Sequence, residues 1–410
     1  MKKILILLFT TASLAGVAQQ QPSFTLAEAI ETAIQHNGSI KAAVYEVESQ
    51  KELRKTSFDL PKTNVTLLYG QYNGFPRNDH NISVTQTIPF TAFGSQASLN
   101  RSLATSSQLK KAVTENELIY QVKSVFNQVS FIKSRHQLLL QQDSIFEGFL
   151  RSASFRYKTG EGTLLEQTTA ETQRNELKNQ LRQNEGDVMV LRLQLKTLLG
   201  VEILPDIHAV ELTELILTNL PDTTIVKANP SLAYARQQVE IAKNQKKVES
   251  ARFAPDIQLG FFSQTLIGVA DLETGAIATK SDRFTGFQVG LAVPLWFVPH
   301  QARMKASEFN RKAAQRSFEY YETSVKGELQ QAIQQYLKNK SSMDYYRSSA
   351  LPGADLILKQ SQAAFRGGDI GYTEYLLGVR NAVGIKESYQ HTLRDYNQSI
   401  IYIDFLLGIK

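Results

Sequence analysis

From Gly94 to Phe155 the chain contains no proline. Leu118, Val122, Val125, Val129 and Ile132 step by four and three, and Leu139, Phe146 and Leu150 keep the register. Such a heptad stripe specifies a long helix that needs a helical partner along its whole length. About 60 residues at 1.5 Å each make a rod of roughly 90 Å. A second segment, His300 to Phe365, carries Val325, Leu329, Ala332, Tyr336, Met343 and Tyr346 in the same phase, and Pro352 is expected to bend it near its end. The 410 residues suffice for two or three ordinary domains or for one elongated one.

Four shorter helical segments accompany the rods, over 24–58, 163–199, 224–253 and 372–408. In the first, Leu26, Ile30, Ala33, Ile40, Val44 and Val47 form the stripe. Segments 24–58 and 163–199 together match the first rod in length, and 224–253 with 372–408 match the second. Two short helices stacked end to end are therefore expected along each long one. Between the helices lie strand-like stretches. Ile82, Val84, Ile88 and Phe90 alternate with Asn81, Ser83, Thr85 and Thr87; Phe287, Val289, Leu291, Val293 and Leu295 alternate with Gly286, Gln288, Gly290 and Ala292.

The two halves repeat each other. "YKTGEGTLLE" (Tyr157 to Glu166) falls on "FRGGDIGYTE" (Phe365 to Glu374) at an offset of 208, and the same offset puts "LLGV" at Leu198 on "LLGI" at Leu406. At 205, Pro89 falls on Pro294 and Gln96-Ala97 on Gln301-Ala302. Upstream, "HNGSI" at His36 resembles "ANPSL" at Ala228, and Pro61 resembles Pro255. Ordered matches with a slowly drifting offset indicate duplication of one unit: helix, strand, strand, long helix, loop, helix. The first repeat covers 19–200, with strands at about 62–90 and a helix-tip loop at about 156–166. The second covers 201–410, with a connecting segment at about 201–228, strands at about 256–296 and a tip loop at about 364–374.

Residues 1–18 read as a secretory signal peptide: Lys2 and Lys3, an apolar run from Ile4 to Leu14, then Gly16 and Ala18 before Gln19. The chain has no cysteine, so neither disulfides nor a thioether-linked acyl anchor holds it. Beyond residue 18 no apolar run is long enough for a transmembrane helix. The net charge of +6 is spread among interleaved acids, which argues against nucleic-acid binding.

An alternating strand admits two readings: a soluble sheet with its apolar face on a core, or a membrane barrel with that face on lipid. Strands of about ten residues are long enough to cross a bilayer. Four strands cannot close alone, because an open edge in lipid leaves backbone groups unpaired. If they enter a membrane, several copies must share one barrel, and three copies give about twelve strands.

With the duplicated order, Pro89 and Pro294 after the second and fourth strands, the "LLG" helix ends and the Gly–acid tip loops in place, the chain resembles the TolC-like outer-membrane factors over nearly its whole mature length. The resemblance implies a mainly α protomer with a small transmembrane β part. Three protomers would form a homotrimer with a twelve-stranded β-barrel and a long α-helical barrel. It implies a passive exit duct in the outer membrane, surrounded by its lipid, with a large periplasmic part. The duct would dock to a periplasmic adaptor and an inner-membrane pump, of the RND class, and carry small molecules or metal ions. A type I secretion duct for polypeptides is the alternative within transport; a periplasmic coiled-coil scaffold without a pore is the alternative outside it. The tip residues Tyr157, Gly160, Thr163, Glu166, Phe365, Gly368 and Tyr372 are the expected docking surface, and Glu374 the expected pore constriction. Glu166 and Glu374 also fall where a carboxylate caps a helix and meets its dipole, so capping alone is the competing role. Leu377 stands where relatives often carry a second acid.

No enzyme signature occurs. "GEGTLL" and "GGDIG" lack the Lys-Ser/Thr of a phosphate loop, and neither G-x-S-x-G nor H-E-x-x-H is present. The six histidines, His36, His80, His136, His208, His300 and His391, form no close pair on one helix face, and His80 and His300 are expected to face solvent. No metal, cofactor or nucleic acid is expected.

Overall fold

The computed structural model describes residues 23–73, 78–207, 212–217 and 228–409. The expected signal peptide and much of the connecting segment 201–228 lie outside the described residues. In chain order the elements begin with β1 (Ser23–Phe24), α1 (Leu26–His36) and α2 (Gly38–Leu53). A 3-10 turn at Arg54–Phe58 leads to β2 (Asn64–Gly70), β3 (Asp79–Ile88), α3 (Phe90–Lys158) and α4 (Leu164–Leu199). β4 (Asp206–Ile207), α5 (Pro230–Ala251), β5 (Asp256–Gln264) and β6 (Phe284–Ala292) follow. A helix α6 (Phe297–Tyr345), a π turn (Tyr346–Ala350), α7 (Leu351–Gly367) and α8 (Tyr372–Leu407) complete the chain.

α3 is 69 residues long, a rod of about 100 Å. The stacked pairs expected from lengths are present: α1 and α2 with α4 pack along α3, and α5 with α8 pack along α6–α7; α5 and α8 also pack against α3, which was not foreseen. The expected stripe residues Leu118, Val122, Val125, Val129 and Ile132 are all buried, as are Val325, Leu329, Ala332, Tyr336 and Met343. Buried asparagines tie neighbouring helices by donating to backbone carbonyls: Asn116 Nδ2 to Phe405 O (3.0 Å), Asn127 to Arg394 O (3.0 Å) and Asn184 to Ile132 O (3.1 Å). A buried amide that reaches one carbonyl only fixes the axial register of the pair.

Two expectations are corrected. Segment 24–58 is not one helix: it breaks at Asn37, whose extended backbone ends α1 and starts α2, and Val44 is exposed while Ala29 and Ala43 are buried. The second rod is interrupted by the π turn directly before Leu351-Pro352. Proline lacks the N–H that an α turn would use, and one extra residue in the preceding turn absorbs the mismatch.

The break at Asn37 is one of two equivalent joints. Asn37 Oδ1 accepts from Ser39 N (2.8 Å), capping α2, while its Nδ2 donates to Leu198 O at the end of α4 (2.9 Å). Asn229 Oδ1 accepts from Leu232 N (2.9 Å), capping α5, and its Nδ2 donates to Leu406 O at the end of α8 (2.8 Å). Gly200 and Gly408 close α4 and α8 in the left-handed conformation, with φ of 65° and 70°. A Cβ on Gly200 would sit 2.6 Å from His36 O, so the glycine also permits close approach. The repeated "LLG" and "HNGSI"/"ANPSL" motifs are the two halves of this joint.

The strands form one antiparallel sheet in the order β2-β3-β5-β6. β3 pairs with β5, joining the two repeats, and β2 and β6 are the edges.

Candidate functional site

The two tip loops are built alike. α3 ends as Thr159 N donates to Phe155 O (3.0 Å); Gly160 turns left-handed with φ 80°, and Gly162 N donates back to Arg156 O (3.0 Å). Thr163 then caps α4, its Oγ1 accepting from Glu166 N (3.2 Å). In the second loop Gly368 has φ 82° and Asp369 N donates to Ala364 O (2.9 Å). Here Glu374 is the cap, its carboxylate accepting from Gly371 N (3.1 Å). Both glycines thus take a positive φ, and the first-turn position expected for both glutamates is observed. Only Glu374 uses its carboxylate as a cap. Glu166 is half-buried; burial first, and then the Glu166 charge, raises the pKa of the Tyr372 phenol.

Not all eight expected residues face solvent. Tyr157 and Glu374 are exposed, as are Gly160, Thr163 and Gly368. Tyr372 is buried and Phe365 half-buried, so neither presents an open docking surface in the protomer. They join an aromatic cluster: Phe149 stands 5.2 Å from Phe365, 5.1 Å edge-on to Tyr372 and 4.6 Å from Tyr375. Tyr372, Tyr375 and Val379 are spaced by three and four, so they share the face of α8 that packs on α3. Each such ring pair adds roughly 0.5–1.5 kcal/mol beyond its buried area. The cluster holds the two tips together.

The first tip instead exposes Phe155, Leu164 and Leu165, the last at 76 %. Sequence reasoning passed over these three; an apolar doublet directly after the cap Thr163 was the available signal. Beside the tips, Ser144, Gly148 and Ser152 of α3 face Gln362 and Arg366 of α7 across a groove of about 380 Å³ floored by Tyr375. The small residues on α3 leave this space open.

The sheet presents one apolar face. Its registers align Val65 with Val84, Val84 with Phe261, and Phe261 with Phe287; Leu67 with Ile82; Leu259 with Val289; and Ile257 with Leu291. The opposite face carries Thr66, Ser83, Thr85, Gln258, Gly260, Gln288 and Gly290, together with Leu68 and Phe262. The apolar face lies bare: Val65 is 69 % exposed, Phe287 86 % and Val289 76 %. A soluble sheet would bury that face on a core.

His80 lies within β3 with its ring 4.8 Å from Tyr69, and His300 in the first turns of α6 bonds Arg303 (3.1 Å); both are half-buried, where solvent exposure was expected. Among the described residues no group of three His, Cys, Asp or Glu could hold a metal ion, and no helix is long and apolar enough to cross a membrane.

No protein-family model matches the sequence, and no curated protein matches it. Solved structures do. The chain is similar to the channel-forming CusC (14 % identity, TM-score 0.78, 95 % of this chain and 93 % of that one). It is similar also to the Campylobacter jejuni CmeC outer-membrane channel (13 %, 0.77, 99 % and 94 %). A third neighbour is the outer-membrane protein VceC of Vibrio cholerae (12 %, 0.77, 94 % and 97 %). Over almost its entire described length, this chain has the fold of the TolC-like outer-membrane channels.

Proposed function

We propose that the chain is the outer-membrane duct of a tripartite efflux system, a passive exit path for small molecules or metal ions. The observation that carries this reading is the sheet: four strands, one bare apolar face and two unpaired edges. In water that face costs about 25 cal/mol for each Å² left exposed, and in lipid it costs nothing. The open edges β2 and β6 demand partners in lipid. Pairing β6 of one copy with β2 of the next, three times over, closes a twelve-stranded barrel, consistent with single-barrel sizes of about eight strands upward. The long helices, too polar for lipid, then project together as a tube into the periplasm.

The tip cluster brings both helical hairpins of each copy to the far end of that tube. Docking to a periplasmic adaptor falls there, on the exposed apolar residues Phe155, Tyr157, Leu164 and Leu165 and along the groove bounded by Ser144, Gly148, Ser152 and Arg366. An inner-membrane pump, of the RND class, supplies the energy, and Glu374 in three copies rings the closed end. A polypeptide-secretion duct shares this geometry; a scaffold without a pore does not account for the bare apolar sheet face.

The test is fractionation followed by bilayer recording. The protein is expected in the outer-membrane fraction, as a trimer in detergent, with low resting conductance in a planar bilayer. Recovery as a soluble monomer from the periplasm without detergent would refute the duct.

A further inference from the structure

We propose that Asp79, Asn81 and Gln264 hold a calcium-class divalent cation at the end of the sheet away from the helices. The site lies within a single copy, so it stands or falls independently of the duct reading.

Asp79 opens β3 and is completely buried. One carboxylate oxygen is engaged: Oδ1 accepts from Thr265 Oγ1 (3.0 Å) and from Ile267 N (2.9 Å). Thr265 is fixed in turn, its Oγ1 accepting from His80 N (2.9 Å) and its N–H donating to His80 O (2.9 Å). Thr265 and Ile267 are themselves buried, so the start of the loop between β5 and β6 seals the carboxylate from water. The second oxygen, Oδ2, is buried and has no partner. A carboxylate held in one orientation, with a free buried oxygen and no ion pair among the described residues, lacks the countercharge that burial demands.

Its neighbours supply further oxygens. Asn81, two residues along β3, shares the face of Asp79, and its Oδ1 is also buried without a partner. Gln264 stands opposite Asn81 in the register of β3 with β5, and its Oε1 receives only a long bond, 3.4 Å from Asn73 Nδ2. On the other side Gly70 stands opposite Asp79 and adds no side chain; a Cβ there would meet nothing within 4 Å. Three acceptor oxygens, one of them charged, thus share a patch beside open space. A water could donate to these oxygens but would leave the charge uncompensated; a cation meets both needs. Carboxylate and amide oxygens suit a hard cation. Calcium accepts irregular oxygen shells completed by water, whereas magnesium demands a strict octahedron. With a single charged ligand the affinity falls among weak extracellular sites, about 0.1–1 mM. The bound cation would brace Asp79, and through Asp79 the start of the β5–β6 loop. Spacing of His, Cys and acids gives no sign of this site, because only one of its ligands belongs to that set.

The test is hydrogen exchange of the full-length, detergent-solubilised protein at neutral pH, in calcium chloride and in chelator with sodium chloride at matched ionic strength. The amide of Ile267, bonded to Asp79, is the reporter. Calcium should slow its exchange saturably. At ten times the half-saturating concentration the protection should rise about elevenfold, as linkage requires. The same concentration of magnesium should give a smaller gain. D79N should lose the calcium response. N81A, which removes an oxygen that bonds nothing in the structure, should raise the half-saturating concentration at least about tenfold. Exchange at Ile267 that is equal in calcium and in chelator would overturn the site, as would a D79N response matching the wild type. Should D79N fail to fold, N81A decides alone, and unchanged half-saturation there overturns the site. None of these outcomes bears on whether the protein is a duct, which fractionation and bilayer recording read separately.

Discussion

The duplicated helix joint makes a quantitative prediction, because Gly200 and Gly368 share a backbone conformation but not surroundings. Their φ values are 65° and 82°. Alanine at either position carries the left-handed penalty of roughly 1–2 kcal/mol. At Gly368 nothing lies within 4 Å of the new Cβ, so that penalty is the whole cost. At Gly200 the Cβ would meet His36 O at 2.6 Å, its carbonyl carbon at 2.9 Å and Asn37 Cα at 3.1 Å. All three are backbone, and α1 cannot yield without moving Ala33 off Leu195 and Leu199, which are 0–1 % exposed. Overpacking of this kind costs about 1–3 kcal/mol, and parting the joint also loses the hydrogen bond from Asn37 to Leu198 O, worth about 1 kcal/mol. G200A should therefore cost about 2 kcal/mol or more beyond G368A, or roughly 30-fold in local opening. Hydrogen exchange of the detergent-solubilised protein, followed on peptides spanning 33–40 and 195–201, reads this directly. Gly200 N–H, bonded to Lys196 O at 3.1 Å, is among the amides that should lose protection. Equal loss of protection in G200A and G368A would refute the claim that the joint is held by close backbone approach.

On the sheet, V289R should abolish membrane insertion, since an arginine on the lipid face near mid-bilayer costs about 2–4 kcal/mol, whereas Q288R on the opposite face should insert; matching outer-membrane yields of the two would sink the assignment of faces. At the second tip, E374A removes both a charge and the acceptor for Gly371 N–H, while E374Q removes only the charge. If Glu374 lines a gate, both variants raise resting conductance in a planar bilayer; if it is only a cap, neither does, and only E374A loosens exchange at the start of α8. Finally, Glu308 is held at a pKa of about 2 by its hydrogen bonds to Arg311 and Lys246, below its ordinary value of 4.5. A depressed carboxylate pKa gives stability that is full above the unfolded value and is lost as pH falls from about 4.5 toward 2. The contact between α5 and α6 should loosen over that window in the wild type and lack that step in E308Q, with exchange of the 240–250 amides as the measurement.

Much of the molecule is legible in the sequence because it is periodic or repeated. The heptads of 118–132 and 325–343 specify two rods, and matched segment lengths specify how shorter helices stack along them. Alternation in 82–90 and 286–295 gives strands with one apolar face. Gly160 and Gly368 announce left-handed turns because no other residue adopts that φ cheaply. Tertiary structure decided what periodicity leaves open, namely which partner each face meets. Phe365 and Tyr372 read as exposed tip residues until α3 brings Phe149 against them. The repeated HNGSI and ANPSL motifs carry no sign of a partner in the sequence; in the structure the carbonyls of Leu198 and Leu406, 161 and 177 residues away, meet the amides of Asn37 and Asn229. That the apolar face of the sheet is bare shows only in the structure, where none of the described residues covers it. A local pattern fixes the shape of a segment, because its forces act between residues three or four apart; the direction in which that segment faces is fixed by surfaces hundreds of residues distant.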